Sequence, residues 1–158
     1  MPAARPIPRV IRESFTYGLR FQKRAKLITE ADLVNAVNGG VADVPFAFLP
    51  PNALMCRTAV KLNAQFTGGG ASAVGVTIGT SASPALIMAS FNVFGSAASG
   101  LFVAGAAGPQ VESPSANGQS LIARFTPDAG HNLSALTAGS VELAIYFWGG
   151  ADGVYDNT

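Results

Sequence analysis

The chain has 158 residues, 49% of them hydrophobic and 12% charged, with a net charge of +1. That length builds one domain around a substantial core, and the overall charge makes no strong claim on nucleic acid. The single cysteine, Cys56, excludes an intrachain disulfide and fits folding in a reducing cytosol.

The charge is unevenly spread. Residues 1–26 hold seven basic residues, Arg5, Arg9, Arg12, Arg20, Lys23, Arg24 and Lys26, against one acid, Glu13. The remainder holds three basic and eight acidic residues, so a basic leader precedes an acidic body. Pro2, Pro6 and Pro8 disfavour helix and cannot donate ladder hydrogen bonds. Residues 1–27 therefore read as an extended basic arm, with a short strand around Ser14–Tyr17. The arm lacks the apolar run of a signal peptide, and none is expected. From Leu62 to Val111 the chain carries no charge. Its Gly, Ala, Ser and Thr content, with Pro84 and Pro109, argues against a membrane span. A neighbouring subunit is the better cover, because interface cores are depleted in charge.

A short helix follows at 29–37, TEADLVNAV. Thr29 is the expected N-cap with Asp32 three residues on, and Asn38-Gly39-Gly40 is the stop. The period then becomes two. VPFAF places Val44, Phe46 and Phe48 on one face before Pro50-Pro51 breaks the strand. In CRTAVKLNAQF, Cys56, Thr58, Val60, Leu62, Ala64 and Phe66 share one side, with Arg57, Lys61, Asn63 and Gln65 on the other. Gly68-Gly69-Gly70 turns the chain into VGVTIG, with Val74, Val76 and Ile78 inward. SASPALIMASFNVF reads as a short helix or turn leading into a strand, with Ser83 and Pro84 as its start and Leu86, Ile87, Phe91 and Phe94 recurring at roughly helical spacing. A strand is expected at Leu101–Ala104, another at SLIARFT, and a turn at Pro127-Asp128-Ala129-Gly130. The last strand, VELAIYFW, turns Val141, Leu143, Ile145 and Phe147 inward and Glu142, Ala144, Tyr146 and Trp148 outward.

Many short strands, Gly/Pro turns and one or two short helices predict an all-β, antiparallel, jelly-roll-like sandwich. The expected organisation is the arm at 1–27, a sandwich domain at 28–150 and a tail at 151–158. No constellation for catalysis or metal binding stands out, so a non-enzyme without cofactor is expected. His131, the one histidine, lacks the partners that base or metal chemistry needs. Cys56 reads as a small buried hydrophobe, and Asp152 and Asp156 as a solvated tail. The glycines of 68–70 and 100–105 match no phosphate-cradling loop. Tyr146 and Trp148 form a candidate stacking face, or the cover for a subunit contact.

The order of elements resembles that of tailed-bacteriophage capsid decoration (cement) proteins. The residues that carry it are ITEADLVNAV (28–37), FLPPNALMCRTAVKLNAQF (48–66), AVGVTIGTSASPALIMASFNVF (73–94) and ALTAGSVELAIYFW (135–148). The resemblance implies a β-sandwich made in a bacterial cytoplasm and mounted on the virion surface. Its partners would be major capsid protein and itself, as a trimer over local three-fold positions. The basic arm lies outside the match. Its cations suit attachment to an acidic shell or a neighbouring subunit, ordering as they bind. Two alternatives stay open: a jelly-roll shell protein whose arm faces nucleic acid, and a carbohydrate-binding tail or fibre module. No membrane partner is expected.

Overall fold

Among the described residues, alternation of apolar and polar residues builds nine strands in two antiparallel sheets. The computed structural model describes residues 20–38, 40–51, 53–94, 101–102 and 118–149. The first sheet has the order β1-β9-β4-β7, from β1 (Arg20–Thr29), β9 (Leu136–Gly149), β4 (Leu54–Gly68) and β7 (Leu101–Phe102). The second has the order β2-β3-β8-β5-β6, from β2 (Val37–Asn38), β3 (Val41–Leu49), β8 (Gln119–Pro127), β5 (Val74–Gly79) and β6 (Met88–Asn92). Setting the two-residue β2 aside, the pairs β1/β9, β3/β8, β4/β7 and β5/β6 nest from the chain's ends inward. A long hairpin rolled into two sheets gives this nesting, and it is the jelly roll expected from the sequence.

The sheets meet through one core. Val74, Val76 and Ile78 of β5 are fully buried, as are Val141, Leu143, Ile145 and Phe147 of β9. Phe66 of β4 and Phe125 of β8 meet across the sandwich with ring centroids 6.2 Å apart. Each side chain of this size gains roughly 1.5–3 kcal/mol on full burial.

Helix α1 (Glu30–Ala36) follows β1 directly. The Asp32 carboxylate accepts from the Thr29 N–H at 2.8 Å and from its hydroxyl at 3.0 Å, closing the expected cap. Leu33 is the helix residue that enters the core. The Gly68-Gly69-Gly70 turn runs entirely at positive φ, which explains the three glycines together.

Three expectations need correction. Residues 20–27 are not arm: they form most of β1, which pairs with β9 without interruption from Arg20↔Gly149 to Thr29↔Ser140. Their charge conceals a period of two, with Phe21, Lys23, Ala25 and Leu27 on one face and Ile28 entering the core. Phe48 does not share a face with Val44. A bulge between Pro45 and Ala47 shifts the register, leaving Val44 buried and Phe48 52% exposed. Ala64 is likewise turned out by irregularities in β4 on either side of it. Of the two readings open for residues 81–87, helix or turn, the structure takes the turn, and the expected strand follows as β6. Leu86 N–H donates to Ser83 C=O, and Ile87 N–H returns to Ile78 C=O at 2.9 Å, closing the β5–β6 hairpin. Besides α1 the described chain has one 3-10 turn, Leu133–Ala135, capped by Asn132, whose side chain accepts from Ser134 N–H at 3.0 Å.

The expected strand at Ser14–Tyr17, Arg5, Arg9, Arg12, the side chains of Arg20 and Cys56, and the tail with Asp152 and Asp156 lie outside the described residues.

Candidate docking face

The outer surface of the first sheet gathers the chemistry. Register sets its residues in rows across β1, β9 and β4: Lys23, Tyr146 and Arg57 in one, Ala25, Ala144 and Ala59 in the next, Leu27, Glu142 and Lys61 in the last. At the end nearest the β1 N-terminus, Phe21 lies opposite Trp148.

Tyr146 is held on both flanks. Phe21 stacks with it at a centroid distance of 5.8 Å and an interplanar angle of 21°. From β4, the Arg57 guanidinium stands over its ring, 4.5 Å from the centroid. Lys23 Nζ lies 6.0 Å from the same ring and 3.3 Å from Glu142 Oε1. Phe21 also meets Trp148 at 5.3 Å with the rings tilted by 58°. Each aromatic pair is worth about 0.5–1.5 kcal/mol and an exposed cation–π contact about 0.5–1 kcal/mol, so the cluster is ordered before any partner arrives. It remains open to solvent: Phe21 is 50%, Trp148 41% and Leu27 53% exposed. Ala144 and Ala59, in the row between them, are buried.

The pair Tyr146 and Trp148 is thus one half of a larger cluster. Phe21 and Arg57 complete it. The signal for Phe21 was the alternation in RFQKRAKL, masked by its cations. The signal for Arg57 was its place on the polar side of β4.

The cations named at the sequence level are dispersed. Lys23 faces out among the aromatics. Lys26 points the other way and donates to the Pro45 carbonyl of β3 at 2.7 Å, tying the two sheets at their open edge. Arg24 lies exposed on that same side of β1.

His131 lies in a different place, 3.1 Å through Nδ1 from Asp128 Oδ1. Ser72 donates to Asp128 from its hydroxyl at 2.7 Å and from its backbone N–H. Those hydrogen bonds, the Ser72 hydroxyl first, hold the Asp128 carboxyl below its ordinary range. In a hydrolytic triad the histidine stands between serine and aspartate. Here the aspartate stands between them, and the group braces the β4–β5 turn against the turn after β8. Among the described residues no three His, Cys, Asp or Glu side chains gather as a metal site, and no helix is long and apolar enough to cross a membrane.

One structural likeness bears on this fold. A chain of the cyanophage Pam1 capsid asymmetric unit is similar, with a TM-score of 0.55 and 16% identity. The likeness covers 94% of this chain and 92% of that one. At such identity it speaks for the fold alone. No family model and no curated protein matches the sequence.

Proposed function

We propose that the protein is a non-catalytic structural component of a phage capsid, a decoration protein that binds major capsid protein and stabilises the shell as a trimer. The observation that carries the reading is the likeness to a capsid chain at nearly full length in both directions. The docking face supports it. Exposed Phe21 and Trp148 beside Tyr146, with an arginine over its ring, have the composition of an interface hot spot. Charge-poor strands rich in small residues suit close packing between symmetric copies. The sugar-platform alternative is weakened because Phe21 and Arg57 already engage Tyr146.

The test is reconstitution. Purified protein is mixed with shells lacking decoration and the shells are pelleted, while sedimentation velocity reports the free oligomer. Co-sedimentation that saturates at a fixed ratio, with a trimeric free species, is the expected result. Protein that stays in the supernatant at all concentrations contradicts the proposal.

A further inference from the structure

β1 is the outermost strand of its sheet, and among the described residues β9 is the one strand beside it. On such a strand every second residue turns its backbone N–H and C=O away from its neighbour, a template for another strand. Folded proteins blunt such edges by keeping them short, with proline or a bulge, or with charge, lysine above all. β1 uses the last of these: it runs ten residues, RFQKRAKLIT, in unbroken register. Its four cations, Arg20, Lys23, Arg24 and Lys26, with no acid, repel a like-charged strand and admit an acidic one. Its outer face adds two half-exposed apolar side chains, Phe21 and Leu27, about 20 Å apart along the strand. With the adjacent Trp148, three of the five exposed large hydrophobic side chains among the described residues gather at this edge.

A second copy of β1 is a poor occupant. Pairing the strand with itself brings the four cations of each copy into one two-stranded ribbon whose own sequence holds no acid, and like charges across a ladder destabilise it.

We propose that the β1 edge is a strand-addition site for an extended, acidic and apolar segment of a neighbouring protein. The proposal rests on the capsid reading for the identity of that neighbour, while the edge chemistry belongs to the isolated protein. The added strand takes its affinity from main-chain hydrogen bonds and its specificity from alternate side chains. On the outer face, apolar side chains lie beside Phe21 and Leu27 and a carboxylate beside Lys23. On the other face a carboxylate comes to the side of Arg24. Complementary charge also speeds encounter and makes the contact salt-dependent.

The probe is a ten-residue peptide that sets Val beside Phe21 and Leu27 and Glu beside Lys23 and Arg24, with a control in which each Glu is replaced by Lys. Trp148, the single tryptophan of the chain, reports binding beside Phe21 by its fluorescence. Amide hydrogen exchange across residues 20–29 reports strand addition. The acidic peptide is expected to shift the emission and slow exchange in β1, and the basic peptide to do neither. The double variant Lys23→Glu/Arg24→Glu is expected to weaken the acidic peptide about tenfold or more. Leu27→Ser, which changes no charge, is a second variant expected to weaken it, with folding of both checked by circular dichroism. Equal responses to the two peptides overturn the proposal, as does exchange already slowed, in the protein alone, at the β1 amides that point away from β9. Shell binding is scored separately, so a protein that decorates shells yet ignores the acidic peptide loses this inference and keeps the capsid reading.

Discussion

Arg124 and Asp43 face each other across β8 and β3, with Nε and Nη2 donating to the two carboxylate oxygens at 2.6 Å each. The Arg124 hydrogen bonds hold the Asp43 carboxyl below its ordinary value of 3.8, and the pairing raises Arg124 in turn. A carboxyl depressed on folding stabilises the protein above its unfolded pKa, and that contribution disappears as pH falls through the folded value. The window is therefore below about pH 4. Both side chains are about one-third exposed, so the contribution is near the upper end of the ~0.2–1 kcal/mol typical of surface pairs. Denaturant melts of wild type and Arg124→Ala are expected to differ at pH 7 and to converge toward pH 3. A gap of constant size at both pH values contradicts this account of the pair. Asp32, lowered chiefly by the Thr29 backbone N–H, and Asp128 titrate in the same acid range in both proteins and leave the comparison unaffected.

Among the elements, β9 depends on one glycine for its packing against β4. Its partner β4 carries extra residues where Ala64 pairs with Ser140 and Thr67 with Ala138, and Gly139 sits opposite that irregularity with φ of 138°. The Phe66 ring fills the space over it. A Cβ at Gly139 would stand 2.6 Å from the Phe66 Cα and closer still to its ring. Gly139→Ala combines a strained φ with crowding, costing at least about 2 kcal/mol. At roughly 2–4 °C per kcal/mol for a chain of this size, the melting temperature is expected to fall by about 5 °C or more. An unchanged melting temperature contradicts the packing described here. β5, β8 and β9 were legible in the sequence because each alternates cleanly and each buries one face between the sheets. The Thr29–Asp32 cap was legible because its parts are three residues apart. β1 was not, because edge position leaves most of its residues exposed and four of them charged, which reads as an arm. The faces of Phe48 and Ala64 were not, because a bulge reverses alternation without marking the sequence. The Lys23–Glu142 contact joins residues 119 positions apart, a distance over which no local pattern speaks.

For the whole molecule, the account links a nested jelly roll to a single working surface. The first sheet turns one face to the core and the other, with Phe21, Tyr146, Trp148 and Arg57, to the outside. Tyr146 and Trp148 could be assigned to that outer face from alternation alone. Their partners could not, because they arrive from strands that only the closed fold places alongside. A cluster so ordered and yet so exposed is suited to meet another protein, and the capsid reading gives it one. The most direct measurement is a cryo-electron-microscopy map of shells carrying the bound protein. The account predicts that the sandwich sits with its β1–β9–β4 face against a neighbouring capsid subunit, burying Phe21, Arg57 and Trp148. A map in which that face points to solvent, with no protein density over it, contradicts the account.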